Sequence, residues 1–201
     1  MRKKLILVTL TAIIAFAANM YNHVANPFNF NIYPLAKSRQ AQSGKTLEIT
    51  FSYEKQLLAA SSQYAFWIED TDGNYVDTLY VTRYTGLEGH RRRPQSLPKW
   101  VSKANPNDMK PFETDAVTGA TPRSGGYAVY WDFTDRNGKP VKETEYRYFI
   151  EATLYMGDNA LYSGTIAMGA EPWQEYPEPE YSKPDSRYKN MISNVRVLYY
   201  P

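Results

Sequence analysis

An all-β fold is predicted by three features of the chain: an antiparallel, immunoglobulin-like β-sandwich of about seven strands with one long irregular insert. Apolar and polar residues alternate at period two in several runs, turn signals separate those runs, and no stretch beyond the N-terminal segment has a helical period. The chain of 201 residues has no cysteine and two histidines, with 23 basic against 21 acidic side chains. That length predicts one domain, and so even a charge balance gives no footprint for nucleic acid.

The chain opens with Arg2, Lys3 and Lys4, then the apolar run LILVTLTAIIAFAA, which ends in the small-residue spacing Ala15, Phe16, Ala17. This is the pattern of a secretory signal peptide over 1–17. Leu5 to Ala18 is shorter than the roughly 20 residues that a membrane-spanning helix needs, so cleavage is expected rather than anchoring. Residues 18–44, rich in Asn, Pro, Ser and Gln and without a clear period, read as a leader or linker. The β-sandwich domain is expected over 45–201.

Within it, KTLEITFSYE places Leu47, Ile49, Phe51 and Tyr53 on one face of a strand. QYAFWIEDTDGNYVDTLYVTRY reads as a hairpin around Asp72, Gly73 and Asn74. The irregular insert follows from Thr85 to Pro122, with the basic run His90 to Arg93. GYAVYWDFTD and PVKETEYRYFIEATLYM, joined by Arg136 to Lys139, read as a second hairpin; its later strand alternates Tyr146, Tyr148, Ile150 and Ala152 against Arg147, Phe149 and Glu151. ALYSGTIAMG and ISNVRVLYY are further strands, and AEPWQEYPEPEYSKPDS between them, too rich in proline to hold a sheet ladder, should wrap the surface in extended form.

The residue types exclude several chemistries. Without cysteine, and with only His23 and His90, zinc and redox-metal sites lack their usual ligands, and no metal site is expected. DTDGN at 70–74 lacks the glycine offset and bidentate Glu of a calcium loop. There is no G-x-S-x-G elbow, and His90 has no evident carboxylate orienter in sequence. Trp67, Trp131, Tyr130 and Phe149 lie in strands and read as packing, whereas Trp100 and Trp173 lie in irregular segments. There a large aromatic either lines a pocket for a flat ligand or pins its loop to the sheet.

One stretch remains, DAVTGAT from Asp115 to Thr121. Gly119 and Ala120 leave the backbone accessible, Asp115 and Thr118 are able to hydrogen-bond a bend, and Thr121 offers a hydroxyl nucleophile. The run resembles the acceptor motif used by FAD:protein FMN transferases, in which an Asp, a Ser or Thr three residues on, Gly-Ala and a final Ser or Thr mark the residue that receives FMN through a phosphodiester bond. The resemblance implies that Thr121 carries the FMN and that Asp115, Thr118, Gly119 and Ala120 shape the acceptor loop. Arg123 and Arg91 to Arg93 are then the candidates to neutralise the phosphodiester, although a basic run such as Arg91 to Arg93 also reads as a solvated loop, and the insert, ordered by Trp100 packing on the sheet, would form one wall of the site that binds the cofactor. In the better-known FMN-carrying domains the motif leads into a helix, whereas here Pro122 to Gly126 lead into a strand.

From about Leu47 onward, the order FWIEDTDGNYVDTLYV, basic loop with Pro98 and Trp100, DAVTGAT and YAVYWDFTDRNGKPV is similar to a periplasmic family of unknown function (domain of unknown function 2271), some of whose members occur fused to or beside such flavin transferases. The hairpin WDFTDRNGKPV also resembles immunoglobulin-like modules of the flagellar hook cap. Two readings follow. In one, the chain is a periplasmic, non-enzymatic electron carrier with covalent FMN, whose partners are an FAD:protein FMN transferase and a membrane or periplasmic redox protein. In the other, it is a binding or structural module without a cofactor, and DAVTGAT is a tight polar connection.

Overall fold

Alternation at period two organises this molecule, and the computed structural model describes residues 31–35, 44–57 and 62–201. The signal-peptide expectation and most of the leader lie outside the described residues. Among the described residues eleven strands form two sheets. The first is five-stranded: β1 (Ile32–Pro34), β6 (Gly125–Trp131), β2 (Thr46–Tyr53), β11 (Ile192–Tyr200) and β9 (Trp173–Glu175), in that order. The second is six-stranded: β10 (Glu180–Tyr181), β8 (Asp158–Ala167), β7 (Glu145–Tyr155), β3 (Gln63–Asp70), β4 (Tyr75–Thr82) and β5 (Thr118–Gly119).

Both sheets are mixed rather than purely antiparallel, because the edge strands β1 and β5 pair in parallel with β6 and β4. Each of these two edge strands lies far in sequence from the strand it pairs with, and only a long connection can bring two strands side by side in parallel. The eleven strands exceed the expected seven because short edge segments, without any period of their own, complete the ladders.

The predicted strand faces are the buried faces. Leu47, Ile49, Phe51 and Tyr53 of β2 meet Tyr64, Phe66 and Ile68 of β3 in one large core shared by the two sheets. The Phe51 and Phe66 rings lie 4.8 Å apart across it. Tyr146, Tyr148, Ile150 and Ala152 of β7 point into the same core. The first hairpin is β3–β4, closed where the Gly73 amide donates to the Asp70 carbonyl and the Asn74 amide to Asp70 Oδ1. Gly73 sits at φ +81°, a conformation glycine adopts without penalty.

The second expected hairpin does not form. β6 pairs with β2 in one sheet, while β7 pairs with β3 and β8 in the other. The turn itself is present: the Asp135 amide donates to the Lys139 carbonyl, and Thr134 and Pro140 form a single bridge. Pro140 cannot extend that ladder, and the chain crosses to the other sheet before β7 begins.

The insert is not irregular. Thr85–Gly89 form a π-helical turn, His90–Arg92 a single α turn, and α1 (Pro98–Ala104) and α2 (Pro111–Val117) are short helices. Both helices start at proline, whose missing N–H and fixed φ suit the first turn. In α2 the Glu113 carboxylate accepts the Lys110 amide, closing the helix N-terminus. Helices of seven residues are too short to display a period, which is why none is legible in the sequence.

These helices cover the outer face of the six-stranded sheet. Leu97, Trp100, Ala104 and Val117 bury Ala65, Trp67, Val81 and Phe149 in a second, smaller core. The Pro- and Glu-rich segment does hold sheet ladders, against expectation: β9 pairs with β11 and β10 with β8, because the paired residues Trp173–Glu175 and Glu180–Tyr181 lie between the prolines and keep their N–H groups.

Candidate functional site

Asp115 to Thr121 begins as the end of a helix and finishes as an edge strand. Val117 closes α2 with its side chain in the second core, while Asp115 and Ala116 on the same turn stay exposed. Thr118 turns to φ −92°, ψ 141°, and Thr118 and Gly119 then run parallel to Val81 and Thr82. A Cβ built on Gly86 would lie 2.5 Å from Thr118 Cγ2, so the Thr118 methyl rests on the π-helical turn.

The bend is held from beneath by Tyr80. A Cβ on Gly119 would lie 2.6 Å from Tyr80 Cε2, so glycine is required by the ring's approach. The Tyr80 hydroxyl donates to the Ala120 carbonyl at 3.1 Å. Thr121 Oγ1 is half-buried and donates to the Ser62 carbonyl over a long 3.4 Å. Beyond it the Arg123 carbonyl accepts the Tyr127 hydroxyl at 2.8 Å, Ser124 Oγ accepts the Lys55 amide at 2.9 Å, and β6 begins.

A buried hydroxyl network anchors the strand ends on which this loop rests. Gln63 Oε1 accepts both Thr82 Oγ1 and Thr85 Oγ1 at 2.7 Å, and the Thr85 amide at 3.2 Å. Next to it Tyr64 and Tyr80 stack at 5.6 Å. Burial pushes the Tyr80 phenol up to about 12 and the Tyr64 phenol higher still. Both phenols therefore remain protonated at neutral pH, and Tyr80 stays a hydrogen-bond donor to the loop.

The structure brings Thr118, Gly119, Ala120 and Thr121 together as one continuous run on the sheet edge. Asp115 stands apart on the helix and its side chain makes no hydrogen bond among the described residues; the Tyr80 hydroxyl holds the bend. Arg123 is exposed two residues beyond Thr121. The other arginines are engaged within the insert: Arg91 Nε donates to Asn107, Arg92 pairs loosely with Glu88, and the Arg93 guanidinium lies 5.6 Å from the Tyr84 ring. Tyr84 and Leu87 are exposed on the π-helical turn that supports Thr118.

Trp100 has no accessible surface, and its Nε1 donates to Thr78 Oγ1 at 2.9 Å. No face of the indole is left for a ligand, so this residue pins the insert to the sheet instead of lining the site. The residues that sequence reasoning missed are Tyr80, Gly86 and Ser62. Each acts through a contact with a distant segment, which no local pattern announces.

The model of a family described as predicted periplasmic protein (DUF2271) matches residues 46–180, a span that includes the loop and most of both sheets. No curated protein and no solved structure matches the chain.

Proposed function

Because the chain belongs to the family of predicted periplasmic proteins (DUF2271), we propose that it works outside the cytoplasm as a non-enzymatic carrier of covalently bound FMN, with Thr121 as the acceptor. In this reading the two sheets are the layers of a sandwich that presents the acceptor loop at one edge. The observation that carries it is the DAVTGAT run, which leaves the Thr121 hydroxyl half-buried on a sheet edge under a single long hydrogen bond.

In the attachment step Thr121 Oγ attacks the FMN-side phosphorus of FAD. A phosphodiester to the threonine forms, the pyrophosphate bond breaks, AMP leaves, and the hydroxyl proton passes to a base of an FAD:protein FMN transferase. The surroundings fit such a group: Arg123 lies two residues away to face a phosphodiester, and the exposed Tyr84 and Leu87 offer apolar surface beside Thr118. Bound FMN would supply one- and two-electron chemistry, and the chain would relay electrons between a membrane or periplasmic donor and acceptor.

The test is intact mass after co-expression with a periplasmic FMN transferase that modifies a control substrate in the same cells. One added FMN, lost in Thr121→Ala, is the expected result; an unmodified chain beside a modified control overturns the reading. A second reading draws on Gly119 beneath Tyr80 and on the Tyr80 bond to Ala120. These contacts account for the Gly-Ala pair as packing, and the chain is then a cofactor-free binding or structural module.

A further inference from the structure

Outside the loop, the outer face of the six-stranded sheet carries a groove of about 430 Å³ where α1 stops covering it. Its floor is built from neighbouring strands: Trp67 of β3, Phe149 of β7 and Leu161 of β8. Trp67 and Phe149 stack nearly parallel, 5.1 Å apart with 14° between planes. Arg147 continues the stack, its guanidinium 5.0 Å from the Phe149 ring centre, and Lys99 and Lys103 of α1 form the facing wall.

The single carboxylate lining the groove, Glu69, is already satisfied. One oxygen accepts Trp67 Nε1 at 2.7 Å and the other accepts Lys103 Nζ at 2.8 Å. Lys99 and Arg147 are exposed and have no ion pair among the described residues. Trp67 and Phe149 are themselves almost wholly buried, so the apolar surface that the groove offers is Leu161 with the edge of Phe149, beside an excess of two cations. Its volume falls within the range of roughly 300 to 1,000 Å³ that small-molecule sites occupy. A guanidinium over a ring still has N–H donors to offer an oxyanion.

We propose that this groove binds a small aromatic anion, its ring against Leu161 and the edge of Phe149 and its carboxylate or sulfonate between Arg147 and Lys99. The charge complementarity selects an anion, and the apolar surface of Leu161 and the Phe149 edge selects its body. The site does not depend on Thr121 or on flavin.

The probe is 8-anilinonaphthalene-1-sulfonate, titrated by fluorescence into folded protein made without a flavin transferase. One saturable site is expected. Its affinity should fall about tenfold in Arg147→Gln and by several-fold in Lys99→Gln, since each variant removes one charge-assisted contact from an exposed position. Leu161→Glu should abolish binding, and the uncharged N-phenyl-1-naphthylamine should bind weakly and alike to the parent protein and Arg147→Gln. Circular dichroism checks that each variant is folded. Absence of a saturable site, or equal affinity in the parent protein and both charge variants, overturns the proposal. So does loss of phosphatidylglycerol-vesicle binding in those variants without binding of the probe, which would assign the cations to a lipid surface.

Discussion

The molecule has two cores that hold themselves together differently. Between the sheets, packing is almost wholly apolar and aromatic, with Leu47, Ile49, Phe66, Tyr148, Trp131 and Val197 drawn from strands distant in sequence. Under the insert, the smaller core is surrounded by directed polar contacts. Glu151 accepts the Lys99 and Trp100 amides, Thr153 Oγ1 accepts the Leu97 amide, Thr78 accepts the Trp100 indole, and Lys103 pairs with Glu69. The first core is non-directional and cooperative, whereas the second positions a short helix through a handful of hydrogen bonds. A helix of seven residues is too short to be stable by itself, and these bonds, with the burial of Trp100, fix its place on the sheet.

Breaking each core should separate them. Phe66→Ala should destabilise the whole chain by about 4 kcal/mol, read as a single shifted denaturant transition. Trp100→Ala should cost about 3 kcal/mol, felt first in the insert. Limited proteolysis should then cut between Thr85 and Val117 while the strand signal in circular dichroism persists. Equal protection of the insert in both variants would show that the two cores unfold as one.

The second core should also respond to pH. Burial pushes the Glu151 carboxyl up to about 7, outweighing the amide donors and the Lys99 charge, which act in the opposite direction. The folded chain then holds a proton that the unfolded chain releases near the ordinary carboxylate value. The stabilisation is present in full below that value and is lost as pH rises to about 7. Glu151→Gln should flatten this slope relative to the parent protein in urea titrations at pH 5 and pH 8, and an unchanged difference between the two would contradict it.

The smallest effect is expected at the loop. Tyr80→Phe removes one hydrogen bond to Ala120 and should cost about 1 kcal/mol. It should raise hydrogen exchange at Thr118 and Gly119, with little change elsewhere.

Much of this was legible residue by residue. The inward faces of β2 and β7 follow from alternation, and the β3–β4 turn follows from Asp72, Gly73 and Asn74. The DAVTGAT run was visible as well, but its support was not. Tyr80 reaches Ala120 across forty positions of chain, and the parallel pairing of β5 with β4 has no local signature. Phe149 and Glu151 alternate with buried residues and so would be taken as solvent-facing on a one-sided sheet. They are buried because the insert folds back over them.

The sequence by itself determined the long strands β2, β3, β4, β6, β7, β8 and β11, the apolar face of β2 and β7, and where the acceptor-like run lies, because alternation and turn chemistry are properties of adjacent residues. Only the tertiary structure decided that β6 and β7 belong to different sheets, that proline-started helices close a second core, and that Trp100 packs rather than lines a site. Those outcomes rest on contacts between segments far apart in the chain. Their free energies depend on which surfaces meet, and no window of sequence records that.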